Sequence, residues 1–197
     1  MRLPPLSFRR HVLVPRARRA RHQRVLACLL SLLSLLSLLG CLPPARADTL
    51  AEYRIKSAFL YNFVSFTEWP ATLGTTLTVC VYGPDPFGDD LDKLHGRIVA
   101  GRTLLVQRTN SASALGNCQV VFITRPVIGN LARLLDNLNG KAVLTVADSP
   151  GAARQGAALN MGTEQNKVVF DANLGAAHDN GLVLSSKLLR LAREVLP

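Results

Sequence analysis

The chain has 197 residues, with 23 Lys+Arg against 13 Asp+Glu and a formal net charge of +10, a balance that at face value points to nucleic acid or an anionic membrane. Nine of the arginines, and no acid, lie before Asp48; subtracting them leaves 14 basic against 13 acidic residues, a net charge of +1. The corrected balance argues against a nucleic-acid partner, and the 150 residues from Asp48 onward have the length of one ordinary domain.

Val25 to Leu39 is an uncharged run of 15 residues, with arginines upstream and Gly40, Pro43, Pro44 and Ala45-Arg46-Ala47 downstream. This is the grammar of a secretory signal peptide over residues 1–47, cleaved after Ala47. As a helix the run would span about 22 Å, short of the roughly 30 Å hydrocarbon core that a membrane-spanning helix crosses. Leu38-Leu39-Gly40-Cys41 also resembles a lipobox, which would make Cys41 a lipidated N-terminus. Arg9-Arg10 is read as part of a long basic region rather than as a twin-arginine signal. With Cys28 and Cys41 in the leader, the domain keeps only Cys80 and Cys118. An even pair in an oxidising compartment points to a disulfide, the alternative being two buried thiols.

Along the domain, Ile55, Phe59, Phe63 and Phe66 recur at helical spacing and predict an amphipathic helix over Thr49–Phe66. Asp48 or Thr49 would cap it, and Trp69-Pro70 would close it over the sheet. Strands are predicted at Leu77–Tyr82, Thr103–Gln107, Val120–Thr124 and Val143–Ala147, several apolar on both faces, as a sheet covered on both sides requires. Helices are predicted between them at Gly88–Leu94, capped by Asp89 or Asp90, and at Ile128–Leu138. After a short helix or turn at Gly151–Gln155, strands Ala157–Met161 and Val168–Asp171 read as a hairpin around the polar turn Thr163–Asn166. A small helix over Ala172–His178 and a last one over Leu184–Leu196 complete the chain. The last would be capped by Ser185 or Ser186 and would bury Leu188, Leu189, Leu191, Ala192 and Val195. The fold class is α/β: a single three-layer domain with a mainly parallel central sheet, helices on both faces and an antiparallel hairpin near the C-terminus.

Dinucleotide binding is disfavoured, because the loop Gly83-Pro-Asp-Pro-Phe-Gly88 lacks G-x-G-x-x-G and the acids Asp85, Asp89, Asp90 and Asp92 would repel phosphate. The same acids do not follow an EF-hand loop and read as helix capping and dipole complementation. No G-x-S-x-G elbow and no closely spaced metal-ligand set occurs, and His95 and His178 lie beside glycine-containing turns. The expectation is therefore no catalytic residue, no metal and no cofactor. Ligands in open α/β sheets sit beyond the carboxyl ends of strands, which nominates Asp85, Arg125 and Asp148 as a rim. A solvated ion pair is the plainer reading of the same three residues.

Seven motifs in order carry a resemblance across residues 50–196. They are Glu52-Tyr-Arg-Ile-Lys-Ser-Ala-Phe-Leu-Tyr-Asn62-Phe63 with Phe66; Trp69-Pro70; Val79-Cys-Val-Tyr-Gly83 with Asp85-Pro-Phe-Gly88; Gly96-Arg97 and Gly101-Arg102; Cys118-Gln-Val-Val-Phe-Ile123; Val143-Leu-Thr-Val-Ala-Asp148 with Gly151; and Asn173-Leu174 through Gly181, Ser185-Ser186 and Leu188-Leu189. The set resembles the YfiR family of bacterial periplasmic proteins. That resemblance implies a secreted, non-enzymatic α/β regulator that binds the periplasmic sensor region of an inner-membrane diguanylate cyclase and lowers cyclic-di-GMP. It further implies a homodimer, sequestration by an outer-membrane lipoprotein, and a redox-responsive Cys80–Cys118 disulfide. A periplasmic small-molecule-binding module that uses the Asp85, Arg125 and Asp148 rim is the alternative.

Overall fold

Strand residues of opposite parity feed two separate cores, and that alternation fixes the architecture. In a computed structural model that describes residues 45–197, with side chains from Thr49 onward, these residues form one compact unit. The leader features, including Cys28, Cys41 and the run Val25–Leu39, lie outside the described residues, as do the side chains flanking the expected cleavage after Ala47.

The elements in chain order are α1 (Ala45–Ser65), β1 (Thr67–Glu68), β2 (Thr76–Tyr82), α2 (Asp89–Asp92), β3 (Ile98–Val99), β4 (Arg102–Thr109), β5 (Val120–Ile123), α3 (Leu131–Leu138), β6 (Leu144–Ala147), β7 (Leu159–Glu164), β8 (Lys167–Asn173), α4 (Leu174–Asp179), β9 (Val183–Leu184), α5 (Ser186–Leu189) and β10 (Glu194–Leu196). Two 3-10 segments, Ala112–Asn117 and Arg125–Asn130, flank β5. The eight-stranded sheet runs β10-β8-β7-β6-β5-β2-β4-β3, and a separate ribbon pairs β1 with β9. From β4 through β7 the neighbours are parallel; β3 and the β7–β8 hairpin add the antiparallel pairs.

Val79, Val81, Val120, Phe122, Leu144 and Val146 face the first core with Tyr53, Leu60, Phe63 and Val64 of α1. Cys80, Tyr82, Val121, Ile123, Val143 and Ala147 face the second, with Leu131, Leu134 and Leu138 of α3. Three layers follow from this, and the strands read as continuously apolar because both faces are covered. Phe63 and Phe170 stack edge-on at 5.0 Å across the first core, a geometry aromatic quadrupoles favour. On the other side of the sheet Cys80 and Cys118 are joined, with Cα atoms 5.9 Å apart and both residues buried. The bond ties β2 to the residues leading into β5, its neighbour in the sheet.

Several sequence expectations are corrected. Helix α1 begins at Ala45, so neither Asp48 nor Thr49 is its N-cap. Its buried stripe is Tyr53, Lys56, Ser57, Leu60, Phe63 and Val64, while Ile55 is 45% exposed. The stripe is rotated because the buried Lys56 finds carboxylate partners, a contact that apolar spacing does not register. The helix ends before Phe66, where the Trp69 indole N–H donates to the Val64 carbonyl at 3.1 Å and the Thr67 hydroxyl to that of Phe63 at 2.7 Å. These bonds satisfy carbonyls that a helix C-terminus leaves orphaned.

Helix α2 is a single turn with Gly88 at its N-cap and no side-chain cap bond. Two of its three acids are held by ion pairs instead: Asp90 with Lys93 and Arg54, and Asp92 with Arg108. The segment expected as one helix from Ile128 is a 3-10 turn that becomes α3 at Leu131. The hairpin is present, but its turn is tighter than expected: Gln165 and Asn166, with φ of 48° and 61°, connect β7 to β8. Two positive φ angles are what a right-twisted two-residue hairpin turn needs. Ala172 belongs to β8, and α4 starts after Asn173, whose side chain accepts from the Ala176 N–H at 2.8 Å.

The largest departure is at the C-terminus. Ser185 does cap a helix, but α5 is only one turn long, and Glu194–Leu196 form an edge strand parallel to β8. Leu188 is buried, whereas Leu191 is 70% exposed and Val195 42%. The cause lies in β8, whose outer edge offers unpaired backbone groups. The Arg193 N–H donates to the Phe170 carbonyl at 2.7 Å and its guanidinium grips Asp171 through two hydrogen bonds at 2.8 and 2.6 Å, directing the chain into that edge.

Candidate functional site

The carboxyl ends of β5 and β6 lead directly into Arg125 and Asp148, and α1 passes over them with Glu52, Tyr53 and Lys56. Glu52 and Lys56 are one helical turn apart, so their side chains meet. The Lys56 ammonium, 0% exposed, lies 2.5 Å from Glu52 Oε1 and 3.1 Å from Asp148 Oδ2. The Tyr53 ring lies 4.7 Å from the same nitrogen, a cation over an aromatic face.

Asp148 Oδ2 also accepts from the Tyr53 hydroxyl at 2.5 Å, and Arg125 Nε stands 3.3 Å away. Arg125 Nε donates to the Asp148 carbonyl at 2.8 Å, and the far end of the guanidinium reaches Glu52 at 3.4 Å. Two carboxylates and two cations therefore balance, which is the condition for keeping Lys56 and Asp148 out of water while Arg125 stays half exposed.

Burial alone would raise the Glu52 carboxyl, but the hydrogen bond and charge of Lys56, with Thr163 and Arg125, hold it below its ordinary 4.5. Burial, reinforced by the bond to the Asp148 carboxylate, pushes the Tyr53 hydroxyl far above its ordinary range. Tyr53 is thus a fixed hydrogen-bond donor to Asp148. The cluster is held by charge neutrality and by two strand ends, and it gives the N-terminal half of α1 a defined position on the sheet.

One side of this cluster opens to a cleft of about 500 Å³, lined by Glu52, Arg125, Asp148, Asn160, Thr163 and Glu164 among others. Asp148 Oδ1 and Asn160 Oδ1 are both buried without a hydrogen-bond partner. Among the described residues, no group of three or more His, Cys, Asp or Glu side chains is arranged to hold a metal ion, and no helix is long and apolar enough to cross a membrane.

Of the residues nominated as a rim, Arg125 and Asp148 are brought together and Asp85 is not. Asp85 accepts from the Phe87 N–H at 2.8 Å and pairs with Arg108 at 2.7 Å, beside a separate depression that includes Gly83 and Thr109. His95 and His178 are exposed. Glu52, Tyr53 and Lys56, which complete the cluster, had no role of their own in the sequence reading. Their available signal was a lysine in the middle of a helical apolar stripe, one turn after a glutamate. Asn160 carried no signal.

Among solved structures, the chain is similar to a conserved domain protein from Vibrio cholerae O1 biovar El Tor, at 10% identity and a TM-score of 0.47. It is also similar to the ABC domain in complex with L-Trp from Streptococcus pneumoniae, at 8% identity and a TM-score of 0.48. Each match covers 73% of this chain and 60% of the other, so the chain spans about 60% of the length of those two structures. A family profile described as YfiR/HmsC-like matches residues 53–193, from Tyr53 of the buried cluster to Arg193 at the sheet edge. The chain therefore belongs to the YfiR/HmsC-like family, a family of periplasmic regulators.

Proposed function

We propose that this protein is a periplasmic inhibitory subunit that binds the periplasmic sensor region of an inner-membrane diguanylate cyclase and lowers cyclic-di-GMP. Family membership over residues 53–193 is the observation that carries the reading. The Cys80–Cys118 disulfide supports the oxidising compartment that such a role needs. Surface contact, rather than turnover of a substrate, is the mode of action in this reading. Export through the leader with release after Ala47, a homodimeric state, capture by an outer-membrane lipoprotein and loss of inhibition on reduction of the disulfide belong to the same proposal. Lipidation at Cys41 is the competing route for the N-terminus.

The test combines gene deletion in the native host with crosslinking from the periplasm. Deletion is expected to raise cyclic-di-GMP and biofilm mass, and crosslinking is expected to recover a membrane cyclase. Unchanged nucleotide levels with no cyclase recovered refute the proposal. N-terminal sequencing of the periplasmic protein separates the two export routes: Asp48 as first residue fits cleavage after Ala47, and a blocked, lipid-modified Cys41 fits lipidation.

A further inference from the structure

The cleft beside the buried cluster has properties that inhibition by surface contact does not use. Asp148 and Asn160 line it, are 1% and 2% exposed, and each keeps one buried oxygen without a donor. Buried acceptors are rarely left unpaired in native proteins, because desolvating them is unfavourable. The three donors that could have served Asp148, from Tyr53, Lys56 and Arg125, all converge on its other oxygen.

Glu52 and Asp148 are balanced by Lys56 and Arg125. The excess negative charge arises beside them, at Glu164, which lines the cleft and whose partner Arg193 is shared with Asp171 behind it. The volume of about 500 Å³ is within the range of small-molecule sites.

We propose that this cleft binds a small organic monocation bearing a primary ammonium group, with the ammonium donating to Asp148 Oδ1 and Asn160 Oδ1. An ammonium offers several donors at one point, and its charge is opposite to the excess at Glu164 on the cleft wall. A carboxylate ligand would meet two acceptors and excess negative charge. A neutral alcohol would supply a donor but leave the charge unbalanced. The site is independent of the cyclase reading and stands or falls separately from it.

The experiment uses protein purified from the periplasm, titrated with n-butylammonium, n-butanol and butyrate at constant ionic strength. Binding is followed by calorimetry and thermal shift. Saturable heat and a saturable rise in Tm are expected with n-butylammonium, with no response to butyrate and weaker binding of n-butanol. Asn160→Leu removes an unpaired buried oxygen and so leaves the unliganded Tm unchanged or higher, while weakening n-butylammonium binding about tenfold or more. Glu164→Gln, at a partly exposed position, gives a second readout and is also expected to weaken binding. Absence of saturable binding, preference for butyrate or n-butanol, or undiminished affinity in both variants overturns the proposal.

Discussion

Replacing Lys56 by methionine removes a buried ammonium while keeping a side chain of similar length. The change leaves Asp148 with the Tyr53 hydroxyl at 2.5 Å and Arg125 at 3.3 Å, and leaves Glu52 with Arg125 at 3.4 Å. Removing one partner of a buried ion pair costs about 3–5 kcal/mol. The remaining donors place the expected loss near the lower end, ~3 kcal/mol, or a fall in Tm of roughly 6–12 °C for a domain of this size. A lysine at a solvated surface position would change stability by about 0.5 kcal/mol or less. Urea unfolding followed by the fluorescence of Trp69, with the disulfide intact, measures the difference. An Asp148→Asn variant and the double variant complete a cycle, in which a coupling of about 1 kcal/mol or more is expected for side chains in contact. A Lys56→Met variant within about 0.5 kcal/mol of the parent, or an additive cycle, refutes the view that this cluster holds α1 to the strand ends.

Cys80→Ser opens a cross-link between residues 38 apart, for which the chain-entropy estimate is about 3.9 kcal/mol; a urea midpoint unchanged between oxidised parent and variant contradicts this. Gly83→Ala is expected to destabilise by about 1–3 kcal/mol, because φ is +100° and a Cβ would lie 2.3 Å from Thr124 Oγ1; a neutral Tm overturns it. Leu191→Glu is expected to shift stability by about 0.5 kcal/mol or less, whereas Leu188→Ala costs about 2–5 kcal/mol, and equal losses would restore the long C-terminal helix. For pH, Glu52 has its folded value below 4.5, so its contribution is present above that value and is lost as pH falls through the folded one. Tyr53 is raised above its ordinary 10.0, so its contribution is present below that pH and is lost at more alkaline pH. Urea midpoints across pH check both: Glu52→Gln should flatten the acid limb and Tyr53→Phe the alkaline limb.

The central strands were legible because their signal is local. Val79 to Tyr82 and Val120 to Ile123 are apolar at every position, and only a sheet covered on both faces accommodates that pattern. The C-terminal segment was not legible for the opposite reason. Leu188, Leu189, Ala192 and Val195 have helical spacing, yet residues 194–196 pair with an open strand edge that exists only once β8 is in place.

The same division runs through the candidate site. Arg125 and Asp148 follow from a topological rule about strand ends, and the structure brings them into contact. Asp85 obeys the same rule but is claimed by Arg108 of β4. Lys56 lies off the predicted stripe of Ile55, Phe59, Phe63 and Phe66, and its partner Asp148 is 92 positions away in the chain. Long-range charge pairing and edge-strand capture both depend on what another segment leaves unsatisfied, and local spacing carries neither.

The bond between Cys80 and Cys118 also has a mechanical consequence. It joins β2, in the middle of an eight-stranded sheet, to the residues just before β5 and encloses α2, β3 and β4. Under tension applied at the chain ends, that enclosed segment carries no load while the cross-link is intact. Oxidised protein therefore extends less than reduced protein when pulled to full length. A difference of 38 residues in separation corresponds to roughly 130 Å of hidden length at about 3.3–3.6 Å per residue.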